Sequence, residues 1–307
     1  MDKNIDITFI VLLYNQEACI VEHLDSLVVA LSNRVMEEYN VELVIADDCS
    51  SDRSLCLVKT WLEKNRVRFS RVVIASGKDN LGTCKNLCRA LRASSGRYVK
   101  ILAADDLYLS CGISSAIDLL DNCDIVLSPV VSEPKGHSNE EIEIDQKSIY
   151  LLNEFSTNSL DKLKKRFEPP ISTPGWFFRR SVFSDEVLTF LEKFDLVEDK
   201  ALWLKLLNDN KFLSINFLNQ PMVCYRRHDN SVSNQKRSPV FFRYRCDRKK
   251  LFFYQIRNCP SYIYKLIHMF GLVSIYMPTP LSKYIVLSNH LKRMRYLIWK
   301  IGNRVKY

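Results

Sequence analysis

The chain has 307 residues, of which 47% are hydrophobic and 26% are charged, and these values exclude a disordered or fibrous protein. The net charge of +9 is unevenly distributed, because residues 235–307 contain 16 Lys/Arg and one acidic residue, whereas residues 1–234 contain 28 Lys/Arg and 34 Asp/Glu. We therefore predict an α/β domain over residues 1–234, followed by a basic, aromatic and helical region over residues 235–307.

The ten cysteines do not have the spacing of a disulfide framework or of a zinc site. No CxxC pair occurs, and Cys84 and Cys88 have no second pair nearby. We expect buried thiols in a reducing compartment. The polar N-terminus leads directly into an apolar run without a signal peptide before it, so the chain is predicted to be cytoplasmic.

Apolar runs without a period alternate with helical patterns through the first hundred residues. Strands are predicted over residues 7–13, 41–46, 71–75 and 98–104, and helices over residues 17–33, 52–64 and 81–94. This alternation is typical of a parallel sheet with crossover helices. Later elements are a mixed region at 123–129, a polar loop at 133–148, helices at 156–167 and 201–208, and strands at 176–179 and 223–225.

Two adjacent carboxylates, Asp105 and Asp106, follow the apolar run that ends at Ala104. Acidic side chains at the carboxyl end of a buried strand lie where open α/β sheets bind ligands. Two charges this close to a core need a counter-charge, which a divalent cation bound to a diphosphate would supply. The alternative is an ordinary Asp-Asp turn in water.

Two earlier loops are predicted to open into the same crevice. The first strand ends in Tyr14-Asn15, and the second ends in Asp47-Asp48, followed by the run 49–52. Asp47 or Asp48 could accept a hydrogen bond from a uracil ring or from a ribose hydroxyl. Ser51 or Asp52 could instead cap the next helix, and the two roles are compatible.

A third loop, residues 79–83, precedes the third predicted helix. Gly82 would allow a ligand to approach the backbone closely, and the amides at the helix start, beside Asn80, could meet a polar ligand. The alternative is a simple turn that caps the helix.

Glu198 and Asp199 lie just before an amphipathic helical pattern. They could simply favour the first helical turn by charge. A carboxylate at this position could also act as a general base toward an incoming hydroxyl, within a site enclosed by aromatic residues such as Trp176 and Trp203.

The last predicted strand is followed by Arg226, Arg227 and His228. The two arginines could bind a diphosphate bidentately. His228 could be a third metal ligand or a phosphate contact, although a single histidine in a polar loop is more often structural or exposed.

Taken in order, these motifs resemble the inverting family-2 glycosyltransferases, especially the bacterial enzymes that build O-antigen and other surface polysaccharides. The resemblance covers about residues 5–234. It rests on Tyr14-Asn15, Asp47-Asp48-Cys-Ser-Ser-Asp52, Asn80-Leu-Gly82, Ala103-Ala-Asp105-Asp106, Pro174-Gly-Trp-Phe-Phe-Arg179, Glu198-Asp199 and Tyr225-Arg-x-His228. The family often has an aspartate at the position of Ala103, so this chain keeps only the last two acids of that run.

The resemblance implies a GT-A (Rossmann-like) fold with a mostly parallel central sheet, and an inverting transfer from a nucleotide-diphospho-sugar, with UDP as the expected nucleotide. The acceptor would be a hydroxyl of a lipid-linked glycan, and the activity that of a hexosyltransferase or N-acetylhexosaminyltransferase. Asp199 would be the catalytic base, and Asp105, Asp106 and His228 would hold Mn²⁺ or Mg²⁺. Donor contacts would come from Tyr14, Asn15, Asp47, Asp48, Asn80, Gly82, Ala104, Asp105, Arg226 and Arg227. Acceptor contacts would come from Gly175, Trp176, Phe177 and Glu198.

The basic C-terminal region combines Lys and Arg with aromatic and aliphatic residues. Basic amphipathic helices of this composition are typical of membrane-surface segments, so we predict peripheral association with the inner face of the cell membrane. No recognised nucleic-acid motif accompanies the region, and we expect no nucleic-acid partner. The alternative is packing on the body of the protein or on a second copy, which would make a homo-oligomer.

Two rival functions remain at this point. A sugar nucleotidyltransferase would share the acidic sites, but it would need a Gly-rich basic loop after the first strand, where this chain has Tyr14-Asn-Gln-Glu17. A non-catalytic scaffold of a polysaccharide assembly complex would bind a nucleotide-sugar without transferring the sugar.

Overall fold

The computed structural model describes residues 4–31, 33–132, 173–209, 213–226 and 239–258, and seven positions between 262 and 273. The described strands are β1 Ile7–Leu13, β2 Val41–Asp47, β3 Arg71–Ser76, β4 Tyr98–Ala103, β5 Leu107–Tyr108, β6 Ile125–Leu127, β7 Val130–Ser132, β8 Trp176–Arg179, β9 Ile215–Phe217 and β10 Val223–Tyr225. The described helices are α1 Ile20–Ala30, α2 Asn33–Glu38, α3 Ser54–Asn65, α4 Thr83–Ala93, α5 Ile113–Leu120, α6 Asp185–Leu191, α7 Glu198–Asp209 and α8 Pro239–Asn258.

The strands form a seven-stranded sheet in the order β3-β2-β1-β4-β8-β6-β9 and a small sheet in the order β5-β10-β7. In the large sheet β3, β2, β1 and β4 are parallel neighbours, whereas β8 runs antiparallel to both β4 and β6. The chain passes from β3 through α4 to β4 on the other side of β1, and the carboxyl ends of β1 and β4, where the strand order reverses, are where such sheets bind ligands. The parallel part predicted from the sequence is confirmed.

Helices cover both faces of the large sheet and build two apolar layers. One layer contains α4, α6 and α7, and the other contains α1, α3 and α5. Strands β1 and β2 are buried almost throughout, as expected for parallel strands with helices on both faces. The alternation of the strand residues sends Ile10 into the first layer, and Phe9 and Val11 into the second.

Some predicted elements differ from the structure. The helix predicted over 17–33 is shorter in the structure, because α1 runs from Ile20 to Ala30, and the helix α2 that follows it from Asn33 was not predicted. Helices α5 and α6 were not predicted, because each is shorter than three turns and its apolar pattern is brief. The loop predicted at 133–148 and the helix predicted at 156–167 lie outside the described residues.

Helix α8, at the start of the basic region, packs on the body of the protein. Leu251 of α8 belongs to the same apolar layer as α4, α6 and α7, and the ring of Tyr254 lies 4.7 Å from that of Phe190 in α6. Helix α8 therefore packs on the body of the protein, as the alternative for the basic region expected. Its Leu251 belongs to the same core as residues before position 234.

The described part of the chain also shows the state of the cysteines and the character of the helices. The nine described cysteines are free thiols; Cys84, Cys88, Cys123 and Cys224 are buried, but Cys56, Cys111 and Cys246 are exposed, which corrects the expectation of buried thiols throughout. None of the described helices combines the length and the apolar character needed to cross a membrane.

Candidate active site

The loops after β1 and β2 are joined by hydrogen bonds at the carboxyl edge of the sheet. The amide of Asn15 donates to Ser50 Oγ (3.0 Å), and the amide of Ser51 donates back to Asn15 Oδ1 (2.8 Å). Asn15 and Cys49 have positive φ angles of 50° and 65°, conformations that non-glycine residues adopt at a cost. This joined pair of loops leaves the Tyr14 side chain 47% exposed beside the crevice.

Asp47 and Asp48 are buried and organise the neighbouring loops. Asp47 accepts hydrogen bonds from the amide of Ser50 (3.2 Å) and from Ser76 Oγ (3.0 Å). Asp48 accepts from the amides of Leu81 (2.9 Å) and Gly82 (2.8 Å). Each carboxylate therefore fixes a loop of the crevice, and a direct contact with a nucleotide stays a prediction.

The close backbone approach predicted at Gly82 is made by the chain itself. Gly82 has a φ of 88°, and a Cβ atom at this position would lie 2.5 Å from the carbonyl oxygen of Asp195. That carbonyl accepts the amide of Cys84 in the first turn of α4 (3.0 Å). The Asn80 side chain contacts the guanidinium of Arg243 in α8 (3.5 Å). Ligand contacts at Asn80 and Gly82 stay predictions.

The acidic pair follows β4 at the same edge of the sheet. Ala104 is buried, and its amide donates to the carbonyl of Leu12 in β1 (3.0 Å), which fixes the turn. Asp106 is buried, its Oδ1 accepts the amide of Arg226 (3.0 Å), and its carbonyl accepts His23 Nδ1 (2.7 Å). Burial, followed by the charge of Asp105, raises the pKa of Asp106 well above its usual range. Asp105 is half-buried. The charges of Arg226 and Lys100 oppose this rise in the pKa of Asp106.

Arg226, the residue after β10, contacts both members of the acidic pair. Its Nε donates to the carbonyl of Asp105, and its Nη1 forms an ion pair with Glu22. Its Nη2 is buried and has no hydrogen-bond partner among the described residues. A buried guanidinium donor that faces no acceptor in the described part of the chain is suited to an anionic oxygen supplied by a ligand.

The residues present fit a divalent cation. Asp105 and Asp106 offer hard carboxylate oxygens, which Mg²⁺ and Mn²⁺ prefer, and both ions usually share such sites with substrate phosphates. Within the described ranges no group of three or more His, Cys, Asp or Glu side chains is placed to hold a metal. Arg227 and the predicted third ligand His228 lie outside the described residues.

Glu198 and Asp199 form the first turn of α7. Burial, followed by the charge of Asp199, raises the pKa of Glu198 to about 8. Asp199 Oδ1 accepts the amide of Lys200 (2.7 Å). The segment that leads into this turn contacts the start of α4 through Asp195, and α4 follows β3. The segment before α7 therefore lies beside the start of α4, and a cleft shared by the two acidic pairs stays a prediction.

Lys100 is a further candidate for a functional residue, and no sequence motif pointed to it. It is fully buried in β4, and its Nζ donates to the carbonyl oxygens of Pro174 and of Trp176 (2.9 Å). Burial lowers the pKa of Lys100 to about 7, and the charge of Asp106 opposes this shift. Lys100 thus connects the acidic strand end to the 173–175 turn. The signal in the sequence was a lysine inside an otherwise apolar strand.

Two predicted acceptor residues have a different role in the structure. Trp176 and Phe177 are fully buried on opposite faces of the sheet, where the Trp176 ring lies 5.6 Å from Trp203 and the Phe177 ring lies 6.1 Å from Phe9. Rings without exposed surface cannot contact an acceptor, so packing replaces the predicted contact. Gly175 is also buried, and its carbonyl accepts the amide of Ser128 (2.8 Å).

This sheet order, with an acidic pair at the end of β4 and a second carboxylate pair at the start of α7, defines a GT-A glycosyltransferase fold. The profile of Glycosyl transferase family 2 matches residues 8–186, more than half of the chain, and the chain belongs to that family.

Curated relatives are bacterial enzymes of surface polysaccharide synthesis. The chain is 25% identical over 213 residues to the Escherichia coli UDP-Glc:alpha-D-GlcNAc-diphosphoundecaprenol beta-1,3-glucosyltransferase WfaP, a match that covers 69% of this chain and 76% of WfaP. It is 25% identical over 235 residues to the Staphylococcus aureus poly(ribitol-phosphate) beta-N-acetylglucosaminyltransferase TarS, which covers 75% of this chain and 37% of TarS.

Solved structures show the same fold. S. aureus TarS 1–349 in complex with UDP-GlcNAc superposes with a TM-score of 0.62 and 20% identity, over 88% of this chain and 72% of that one. The mannosyltransferase PcManGT from Pyrobaculum calidifontis, in complex with GDP-Man and Mn²⁺, gives a TM-score of 0.55 and 17% identity, over 99% of this chain and 81% of that one.

Proposed function

We propose that this family-2 enzyme transfers a hexose or N-acetylhexosamine, with inversion, from a UDP-sugar to a hydroxyl of a lipid-linked glycan in O-antigen or related surface polysaccharide synthesis. The observation that carries the proposal is the acidic pair Asp105–Asp106 at the end of β4, which Arg226 contacts through its amide and its guanidinium. The UDP-sugar and the lipid-linked acceptor are also supported by the relative WfaP, a UDP-Glc:alpha-D-GlcNAc-diphosphoundecaprenol beta-1,3-glucosyltransferase.

The donor diphosphate would lie between Asp105 and Arg226. When bound to Asp105 and Asp106, Mn²⁺ or Mg²⁺ would supply positive charge that stabilises the diphosphate as it leaves. The buried Nη2 of Arg226 would donate to a phosphate oxygen, a charge-assisted bond that strengthens as negative charge develops there. Asp47 and Asp48 hold the loops on the nucleotide side, next to the exposed ring of Tyr14.

Asp199 would accept the proton of the acceptor hydroxyl as its oxygen attacks the anomeric carbon. The bond from that carbon to the diphosphate breaks as the new glycosidic bond forms, so a single displacement inverts the centre. Glu198 has a raised pKa and retains its proton around neutral pH, which suits a donor of a hydrogen bond to the acceptor sugar.

Asp199→Asn tests the assignment of the base. The variant should lower kcat by at least ~100-fold, the usual scale for a lost general base, while the thermal stabilisation by UDP-glucose or UDP-GlcNAc with Mn²⁺ stays as in wild type. Asp185→Asn is the matched control, since Asp185 is an exposed aspartate in the first turn of α6. Full activity of Asp199→Asn with an intact fold would exclude Asp199 as the base. Binding without transfer or hydrolysis by wild type would favour the scaffold.

We further propose that the C-terminal region contacts an anionic membrane surface, where the lipid-linked acceptor resides. Exposed apolar side chains recur at helical spacing in this region, at Tyr262, Leu266, Met269 and Val273. Basic residues of the same region complement anionic headgroups.

Full-length protein with Leu266→Ser and Met269→Ser should bind vesicles of phosphatidylglycerol less well than wild type, in a flotation assay. Val29→Ser, on the exposed side of α1, is the control for a lost surface apolar group. Equal vesicle binding by the double variant and wild type would reject this surface. Tests by substitution are preferable to deletion of the region, because α8 packs on the body.

A further inference from the structure

We propose that Asp247, in the basic helix α8, is a positioning residue for the candidate base: its buried carboxylate anchors the segment that leads into Glu198–Asp199. The proposal rests on the proposed function for the role of Asp199. It gives α8 a part in catalysis that a membrane-contacting or simply packed helix would not have.

The carboxylate of Asp247 is bonded to the backbone of the preceding segment. Asp247 is 1% exposed, and its Oδ2 accepts the amides of Asp195 (2.7 Å) and Leu196 (2.8 Å). Its Oδ1 accepts Lys250 Nζ (3.3 Å), and the same ammonium donates to the carbonyl of Lys193 (2.8 Å). Asp247 is also the one acidic residue of 235–307. A buried carboxylate is stabilised only by such bonds, so its position is specific.

The anchored segment also contacts α4, and a second residue of α8 reaches it. The carbonyl of Asp195 accepts the amide of Cys84 (3.0 Å), and the carboxylate of Asp195 contacts Lys85 Nζ (3.5 Å) and Arg243 Nε (3.2 Å). Arg243 also reaches Asn80 in the loop before α4 (3.5 Å). Helix α8 therefore contacts both the segment before α7 and the loop before α4, which is predicted to face the nucleotide.

The anchored segment is directly continuous with the carboxylate pair. Leu196 is followed by the buried Val197, whose carbonyl accepts the amide of Ala201 in the first turn of α7 (2.9 Å). Asp199 lies only three residues after the anchored amide of Leu196. Loss of the anchor would let the first turn of α7 shift, and a misplacement of ~1 Å can cost ~100-fold in rate.

Asp247→Ala, Asp247→Asn and the control Glu63→Ala test the proposal. Asparagine at position 247 retains an acceptor oxygen for the two amides, whereas alanine removes it. Glu63 is an exposed carboxylate on α3, a helix remote in sequence from Asp247. Site-resolved hydrogen exchange would follow the amides of Asp195, Leu196 and Ala201. Transfer from UDP-glucose, UDP-GlcNAc or GDP-mannose to GlcNAc-diphosphoundecaprenol, with Mn²⁺, would give kcat and KM.

For Asp247→Ala we expect exchange of the three amides to accelerate at least ~10-fold and kcat to fall ~10- to 100-fold, with the donor KM within about twofold of wild type. Asp247→Asn should recover most of kcat, and Glu63→Ala should match wild type in every measurement. A purely structural role would instead lower the amount of folded enzyme and leave the kcat of the folded fraction unchanged.

Two results would overturn the proposal: an Ala201 amide in Asp247→Ala that exchanges as in wild type, or faster exchange with an unchanged kcat. If wild type turns over none of the three donors, the proposed function fails, and the exchange of Ala201 still decides whether Asp247 anchors this turn. If Asp247→Ala does not fold, Arg243→Gln, which removes the other contact of α8 with Asp195, should show the same changes to a smaller degree.

Discussion

Replacing Glu198 with glutamine should change how the stability of the fold depends on pH. Burial, followed by the charge of Asp199, raises the pKa of Glu198 to about 8 from an ordinary value of 4.5. The folded protein therefore retains a proton that the unfolded chain releases. The contribution of this group to stability is fully present below about pH 4.5 and is lost as the pH rises through about 8.

The magnitude follows from the two pKa values. A tenfold change in proton affinity corresponds to ~1.4 kcal/mol, so the wild type could lose up to ~4 kcal/mol relative to Glu198→Gln between about pH 5 and pH 8. Glu198 keeps some exposure to solvent, which screens the effect of burial. We therefore expect about half of this upper value, ~2 kcal/mol in the free energy of unfolding.

Urea unfolding at about pH 5, 6.5 and 8 would measure the effect in wild type and Glu198→Gln. The free energy of unfolding of the variant, relative to wild type, should increase with pH. Glu186→Gln is the matched control, because Glu186 is an exposed glutamate in the first turn of α6, and its difference from wild type should stay constant. A constant difference for Glu198→Gln would show that burial does not hold the proton on this carboxyl.

Three further predictions concern single contacts. Gly82→Ala should lower the free energy of unfolding by ~1–3 kcal/mol, since φ is 88° and the new Cβ would meet the Asp195 carbonyl; thermal denaturation measures this. Trp176→Ala should cost ~3–5 kcal/mol in urea unfolding, because its ring is fully buried against Trp203. Arg226→Gln should weaken UDP binding at least ~10-fold by calorimetry, the scale of a lost hydrogen bond to a charged group; equal affinity would place the diphosphate elsewhere.

Much of the fold follows from local sequence patterns. The apolar runs of β1 to β4 and the helical spacing between them were sufficient to predict the parallel half of the sheet. The antiparallel strand β8 was predicted as a strand, but its place between β4 and β6 depends on long-range pairing that no local pattern encodes. The short helix α6 was missed because seven residues give little periodicity.

The candidate site was predictable in its residue types and less so in its contacts. Asp105 and Asp106 were found because they follow an apolar run, and Glu198 and Asp199 because they precede an amphipathic helical pattern. The aromatic character of Trp176 suggested an acceptor surface, but the register of β8 buries it. The interaction of Asp247 with the amides before α7 joins residues about fifty positions apart, and only the folded chain shows it.

The packing of α8 has a practical consequence for anyone who wants a shorter version of this protein. A cut placed at residue 234, where the charge of the sequence changes, would strip Leu251 from the apolar layer and leave the amides of Asp195 and Leu196 without their acceptor. Such a fragment should express poorly or precipitate. A cut after Asn258 keeps every contact of this helix described above with the body, and is the better place to begin trimming for crystallisation.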